Sequence, residues 1–170
     1  MIYDVPGRTG VKIEPETIRE ARRQANNIMA VKEAAGSIVA MIQMHRALDS
    51  EMVLYSGDDG LLLPSLAVGA RGVVSVAAHL AAAPMAELIS AYQQGQTGRA
   101  LTLHEGVWPL AQELFCDANP VPLKWLMNQL GYNVGGVRPP LAFPKDARRF
   151  DRLWQAWQNL SAETSRSEGA

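Results

Sequence analysis

Ile-Met-Ala-Val-Lys-Glu-Ala, residues 28–34, is the stretch that decides the fold of this chain. Its apolar run is typical of a buried strand, and it places Lys32 inside that strand. A buried lysine costs desolvation energy unless it is paired or neutral, and a neutral amine is a nucleophile that can form a Schiff base with a carbonyl substrate. The alternative is a strand-end lysine whose ammonium group reaches solvent.

Strand-like and helix-like segments alternate around this strand. The predicted strands are 1–5, 28–34, 52–56 and 72–78, and the predicted helices between and after them are 14–24, 37–48, 61–68 and 84–94. Ser37 is the expected N-cap of the second helix. This β-α-β order indicates parallel strands joined by right-handed crossovers. After Gly95 no further strand is predicted, and helices are expected at 98–116, 121–130 and 145–160.

These segments predict three parts. Residues 1–96 form four βα units, residues 97–160 form a helical region, and the small, polar segment 161–170 is expected to be a disordered tail. Four parallel strands followed by helices make the carboxyl-terminal half of an eight-stranded (β/α)8 barrel, whose complete form needs about 250 residues. An open doubly wound sheet is the alternative, but no Gly-x-Gly-x-x-Gly motif follows any predicted strand.

Composition excludes several classes of function. The chain has 170 residues, a net charge of −1 and 19% charged residues, so neither a nucleic-acid partner nor a membrane partner is indicated. A single cysteine, Cys116, excludes an intrachain disulfide and is expected to be a small core residue. No apolar run is long enough to span a bilayer, and the first residues do not resemble a signal peptide. These features predict a cytoplasmic protein.

Several residue types suited to chemistry fall near predicted strand ends, which form the active-site face of an α/β barrel. Tyr3 can relay protons to a carbonyl addition, and Arg8 can hold a carboxylate in a bidentate fork. Their ordinary alternatives are a strand tyrosine with one hydrogen-bond partner and an exposed loop arginine. Glu33 follows Lys32 and is expected on the opposite face, because strand side chains alternate.

Two other groups allow both a functional and a structural interpretation. Asp58 and Asp59 could be taken for a metal pair, but two adjacent aspartates between a strand and a helix more often cap the helix. His79 is expected at the end of the fourth strand, where a role in a pocket is possible but not required. The spacing of the three histidines does not predict a zinc site.

Five motifs then occur in one order: Tyr3-Asp4-Val5-Pro6-Gly7-Arg8-Thr9-Gly10, Val31-Lys32-Glu33-Ala34, Tyr55-Ser56-Gly57-Asp58-Asp59, Gly72-Val73-Val74-Ser75-Val76-Ala77-Ala78-His79 and Asn119-Pro120-Val121-Pro122-Leu123-Lys124. Together they resemble the dihydrodipicolinate synthases, which belong to the wider family of pyruvate aldolases that includes N-acetylneuraminate lyase. The resemblance runs from Met1 to about Leu160. The Pro-Gly-Arg-Thr-Gly loop is more similar to the synthases than to the lyases.

The resemblance implies a role for each matching residue. Lys32 is implied to form the Schiff base with pyruvate, and Tyr3 to relay protons. Arg8 is implied to bind the carboxylate of aspartate semialdehyde, Gly57 to leave room for pyruvate, and Val74 to lie beside it. The implied product is 4-hydroxy-tetrahydrodipicolinate, an intermediate of lysine and diaminopimelate biosynthesis. No metal or organic cofactor is implied, since the lysine supplies the electron sink.

The chain also departs from the family pattern. Asp4 stands where asparagine is usual. The family's first four strands have no counterpart here, and neither does its Gly-Thr-Thr-Gly-Glu segment, which binds the pyruvate carboxylate. A second tyrosine, donated across the family's dimer interface, is also without a counterpart. These departures imply that the isolated 170 residues are inactive or impaired.

Three functions stay open at this point. The first is the synthase reaction. The second is a non-catalytic half-barrel that acts only with a partner, either the amino-terminal half or a second copy of the chain. The third is another pyruvate-dependent aldolase with a different acceptor. The family resemblance implies a homotetramer built from dimers.

Overall fold

A computed structural model describes residues 1–168, in two compact units. The first unit comprises residues 1–75 and 88–100, and the second comprises residues 76–87 and the residues from 101 onward. The division into three parts that the sequence suggests, with a boundary after residue 96, stays a prediction.

The first unit contains a parallel sheet of three strands in the order β1-β2-β3, formed by Ile2–Asp4, Ala30–Glu33 and Val53–Ser56. All three coincide with predicted strands and are shorter than predicted. The prediction of an α/β protein with parallel strands is therefore confirmed. In the register of the sheet, Lys32 of the central strand β2 pairs with Tyr3 of β1 on one side and with Tyr55 of β3 on the other.

Three helices of this unit match predicted helices: α2 (Pro15–Gln24), α3 (Ile38–Ala47) and α4 (Leu62–Ala67). The one-turn helix α1 (Pro6–Thr9) and the short 3₁₀ helix at Asp59–Leu61 were not predicted. Pro15 occupies the first turn of α2, where its missing N–H is not needed. Ser37 caps α3 as predicted, because its hydroxyl accepts a hydrogen bond from Ala40 N–H at 3.3 Å.

Strand alternation gives the sheet two different faces. One face, the covered face, carries Val31 and Leu54, which are 0% and 1% exposed. These residues belong to an apolar core with members of α2, α3 and the segments around β3: Ile18, Met41, Met44, Met52 and Ala70. Burial of such side chains stabilises the fold by about 1.5–3 kcal/mol each. The other face, the open face, carries Tyr3, Lys32 and Tyr55, none of which is buried.

Residues 72–78, which the sequence predicts as a fourth strand, form only a single bridge to the sheet. Val73 forms only an isolated parallel bridge with Ser56, and Val74 N–H donates to Ser56 O at 2.8 Å. Because β3 ends at Ser56, the residues after Val74 have no ladder partner on that strand. The backbone turns instead, and Ala77 O accepts hydrogen bonds from Leu80 and Ala81 N–H, as in a helix.

Helix α5 (Ala78–Gln93) begins earlier than the predicted start at residue 84. It consists of two pieces, because Ala81 has a non-helical φ of −127°. Pro84 follows this break closely, and a proline is tolerated in the first turn of a helix. His79 lies in the first piece of α5, so its predicted position at the end of a strand is wrong.

The remaining helices are α6 (Thr97–Glu113), α7 (Val121–Gln129) and α8 (Asp151–Glu168), with a 3₁₀ turn at Ala147–Phe150. In the second unit, the rings of Trp125 and Phe150 pack with their centroids 5.0 Å apart. Helix α8 continues through residues 161–168, which the sequence predicted as a disordered tail. Residues 169 and 170 lie outside the described residues.

Candidate active site

The open face brings together two of the residues that the sequence singled out. Tyr3 and Lys32 are register partners on β1 and β2. The Lys32 Nζ atom lies 4.0 Å from the centroid of the Tyr3 ring, within the range of a cation–π contact. Lys32 is half-buried and Tyr3 is 44% exposed. The lysine nitrogen is therefore held against an aromatic ring yet remains accessible from the open face.

Gly57 is the third predicted site residue that the structure places at Lys32. A Cβ atom added to Gly57 would lie 3.0 Å from Lys32 Cε and 2.5 Å from Ala34 Cβ. Gly57 N–H also donates to Glu33 O at 2.7 Å, which fixes the close approach of the two strands. A side chain at this position would therefore occupy space next to the lysine.

Val74 and Arg8 lie farther out. Val74 follows the isolated bridge to β3 and is 39% exposed. Arg8 lies in α1, immediately after β1, and its side chain is exposed. Gly10 ends this one-turn helix with a φ of 72°, a conformation that glycine adopts readily. No contact places either side chain on Lys32, so their site roles stay predictions.

The opposite side of the same strand ends holds two carboxylates. Asp4 and Glu33 are register partners, and they are 1% and 0% exposed. Burial raises the pKa of the Glu33 carboxyl, the Ala35 N–H opposes that rise, and the Asp4 carboxylate adds to it. The prediction that Glu33 faces away from Lys32 agrees with this alternation.

Two features of this region were missed by reasoning from the sequence. Tyr55 is the register partner of Lys32 on β3, and the alternation of β3 could have placed it on the open face two residues before Gly57. The burial of Asp4 and Glu33 as a pair needed the register between two strands that are distant in sequence, which a local pattern does not give.

The remaining candidates have structural positions. Asp58 accepts a hydrogen bond from Gly60 N–H at 3.0 Å and so caps the 3₁₀ helix. Cys116 is exposed, so the expectation of a core residue was wrong; it follows the end of α6, where the chain turns toward solvent. Within residues 1–168, no group of three or more His, Cys, Asp or Glu residues is arranged to hold a metal ion. No helix in that range is long and apolar enough to cross a membrane.

The fold and the site define an α/β protein in which a lysine and a tyrosine meet at the ends of parallel strands. A sequence model of the Dihydrodipicolinate synthetase family matches residues 1–153, and the chain belongs to that family.

Relatives and solved structures agree with this membership. The 4-hydroxy-tetrahydrodipicolinate synthase of Desulforamulus reducens is 44% identical over 141 residues, which are 83% of this chain and 48% of that protein. The structure of the 4-hydroxy-tetrahydrodipicolinate synthase of Methylacidiphilum fumariolicum superposes with a TM-score of 0.92 at 35% identity, over 99% of this chain and 56% of that one. The lysine-bound enzyme of Cyanidioschyzon merolae gives a TM-score of 0.89 at 36% identity, over 94% and 53%. The chain thus spans about half the length of the relatives it matches.

Proposed function

We propose that this chain is the carboxyl-terminal half of a (β/α)8 barrel and carries the nucleophile of a 4-hydroxy-tetrahydrodipicolinate synthase. The observation that carries the proposal is the contact between Lys32 Nζ and the Tyr3 ring on the open face, 4.0 Å from the centroid. Family membership and the named synthases among the relatives support the same reaction.

In this proposal the Lys32 amine, once it has lost its proton, attacks the keto carbon of pyruvate. The resulting carbinolamine takes up a proton and loses water to give a protonated imine, and loss of a proton from the adjacent methyl carbon then gives a neutral enamine. The enamine carbon then adds to the aldehyde of aspartate semialdehyde. The Tyr3 ring lies against the lysine nitrogen, and in this proposal the Tyr3 hydroxyl supplies or accepts the protons that these steps exchange, as a general acid and base.

Arg8, Gly57 and Val74 complete the proposed site. Arg8, in the turn after β1, binds the carboxylate of the acceptor through a bidentate fork. Gly57 leaves the space beside Lys32 Cε that pyruvate needs, and Val74 forms an apolar wall. No resident metal or organic cofactor is part of this proposal.

Reductive trapping tests the nucleophile. The chain is treated with pyruvate and borohydride, alone and together with the amino-terminal half of the Desulforamulus reducens relative, and the adduct is located by peptide mass spectrometry. We expect the adduct on Lys32, its loss in Lys32→Arg, and its retention in the control Lys145→Arg, which changes an exposed lysine. An adduct on another lysine, or none in either arrangement, contradicts the proposal.

A second candidate is a half-barrel without activity of its own, which acts only with a partner that covers the open face. The exposure of large side chains on the open face favours it: Tyr3 is 44% exposed and Val74 39%. Monomeric, folded and active behaviour of the 170 residues, by size exclusion, circular dichroism and turnover, would contradict this candidate. A homotetramer, as implied by the family resemblance, would appear in the same size-exclusion experiment.

The choice of acceptor separates the synthase from another pyruvate-dependent aldolase. We expect Arg8→Ala to weaken the use of aspartate semialdehyde at least tenfold, because an unpaired carboxylate loses a charge-assisted hydrogen bond. An acceptor without a carboxylate should be affected little. If Arg8→Ala leaves turnover with aspartate semialdehyde unchanged, the proposal that Arg8 binds the carboxylate of this acceptor is contradicted.

A further inference from the structure

Two buried carboxyl groups lie behind the candidate site and take no part in the proposed reaction. Asp4 Oδ1 accepts a hydrogen bond from Ile13 N–H at 3.1 Å, and Glu33 Oε1 accepts one from Ala35 N–H at 2.7 Å. Their other oxygens, Asp4 Oδ2 and Glu33 Oε2, are buried and have no hydrogen-bond partner in the described part of the chain. A buried polar atom without a partner costs about 1–3 kcal/mol, so these two oxygens call for an explanation.

The register brings the two groups together. Asp4 and Glu33 are paired across β1 and β2, and neighbouring strands lie about 4.8 Å apart. Their side chains leave the same face of the sheet. Burial raises the pKa of the Glu33 carboxyl, and the neighbouring Asp4 charge adds to that rise, because ionising both buried carboxyls carries an electrostatic cost. A single proton between Oδ2 and Oε2 would remove that cost and give each oxygen a partner, in a bond of about 2.5–2.7 Å.

Within residues 1–168, neither Asp4 Oδ2 nor Glu33 Oε2 accepts a hydrogen bond from another group. Lys12, in the loop before α2, acts on Glu33 only through its charge and is itself exposed. Ser56 of β3 is the register partner of Glu33, but its hydroxyl donates to Asp58 O at 2.8 Å. Asp58 caps the 3₁₀ helix, and the next residue, Asp59, is also buried. Helices α2 and α3 contribute the apolar residues Ile18, Met41 and Met44 to this side of the sheet.

The same carboxylate organises the loop that carries Arg8. The bond from Ile13 N–H to Asp4 Oδ1 joins residues nine positions apart and closes the segment of α1 and its following turn onto the end of β1. Asp4 O also accepts from Ala34 N–H at 2.9 Å, which ties the same strand end to β2. Asp4 thus connects the Arg8 loop to the strand that bears Lys32.

We propose that Asp4 and Glu33 share one proton between their unpartnered oxygens, and that Asp4 is a positioning residue that fixes the Arg8 loop on the sheet. The shared proton is a property of the folded chain and does not depend on the proposed reaction. Between the ordinary carboxyl pKa and the raised pKa in the folded chain, the two carboxyls bind one proton more when the chain is folded than when it is unfolded.

The sign of the pH dependence follows from this difference. Stability from the pair is fully present below the ordinary glutamate pKa of 4.5 and is lost as the pH rises through the raised value. Within that window the folding equilibrium constant falls by up to about tenfold per pH unit. Asp4→Asn should reduce this fall, because burial of Glu33 remains while the amide keeps an oxygen for Ile13 N–H and donates an N–H to the Glu33 carboxylate.

The test combines a titration with two variants. Carbon-13 labels in the aspartate and glutamate carboxyls of the 170-residue chain report protonation directly, and urea unfolding from about pH 5 to about pH 8 reports the folding equilibrium constant. We expect the Glu33 carboxyl to titrate above its ordinary range, and the pH-dependent fall to be smaller in Asp4→Asn than in the wild-type chain. The control Glu16→Gln changes a carboxylate whose side chain is 75% exposed and should keep the fall.

Hydrogen exchange tests the positioning role. The Ile13 amide should exchange at least about tenfold faster in Asp4→Ala and at the wild-type rate in Asp4→Asn. Should Asp4→Ala fail to fold, the wild-type chain still decides: the Ile13 amide should exchange more slowly than the Val11 amide, whose bond to Thr9 Oγ1 lies in the exposed loop, and equal rates would overturn the positioning role. Ordinary titration of both carboxyls, or an unchanged pH dependence in Asp4→Asn, overturns the shared proton. An Ile13 amide that exchanges equally in wild type and Asp4→Ala overturns the positioning role.

Discussion

The two faces of the three-stranded sheet differ although they are built from alternate residues of the same strands. The covered face carries Val31 and Leu54, at most 1% exposed, and then the buried Asp4 and Glu33 at the strand ends. The open face carries Tyr3 and Lys32, which are in contact but not buried. One face therefore supplies stability, while the other leaves a nucleophile accessible.

The difference between the two faces explains how the central strand β2 can accommodate a lysine. Its neighbours in sequence, Val31 and Glu33, are both completely buried on the covered face, so β2 is fixed independently of Lys32. The lysine side chain then has only to pack its stem beside Gly57 and its nitrogen against Tyr3. Position in the sheet and chemical reactivity are thus provided by different residues of one strand.

The largest effect on stability is expected from the covered face. Leu54→Ala should lower the free energy of unfolding by about 2–5 kcal/mol, since it removes a side chain that is 1% exposed and leaves a cavity in the core. Tyr3→Ala, at a 44% exposed position of the open face, should cost only about 1 kcal/mol, the value of an exposed cation–π contact. Urea unfolding of both variants measures the difference. Equal losses would mean that the two faces contribute alike.

A smaller effect on the free energy of unfolding is expected from a substitution at Gly57. Gly57→Ala should cost about 1–3 kcal/mol, because the new Cβ lies 2.5 Å from Ala34 Cβ and the backbone must shift. The same atom lies 3.0 Å from Lys32 Cε, so borohydride trapping of pyruvate should also fall. The matched control is Gly98→Ala in α6, where an added Cβ meets no atom within 4 Å. Unchanged stability and trapping in Gly57→Ala would refute the space argument.

Local sequence patterns predicted the elements that local forces determine. The strand at 28–34 contains β2, and Ser37 caps α3 through its hydroxyl. The sequence also predicts Lys32 as a site residue, because a lysine inside an apolar strand is costly unless it is paired or neutral, and Tyr3, because it falls near the end of a predicted strand. Helix and strand periodicity, together with capping chemistry, is sufficient for such features.

Other features depend on partners that a local pattern does not contain. The valine-rich segment 72–78 has strand propensity, yet a strand needs a neighbour, and β3 ends at Ser56. The burial of Asp4 was also not foreseen, because it depends on register with β2. Whether a segment forms a strand depends largely on such neighbours. The sequence alone therefore predicts a strand at 72–78 that does not form, and it does not predict the burial of Asp4.

The smallest effect is expected at the cap of the helix that protects the covered face. Ser37→Ala should lower the free energy of unfolding by about 1 kcal/mol, because it removes the acceptor of the Ala40 N–H at the start of α3. Ser37→Asn should restore most of the loss, since asparagine is an equally good N-cap. Trapping of pyruvate on Lys32 should be unchanged in both, because α3 packs on the opposite face. A Ser37→Ala chain that lost trapping while remaining folded would show that the two faces are coupled, and the separation of stability from reactivity would then fail.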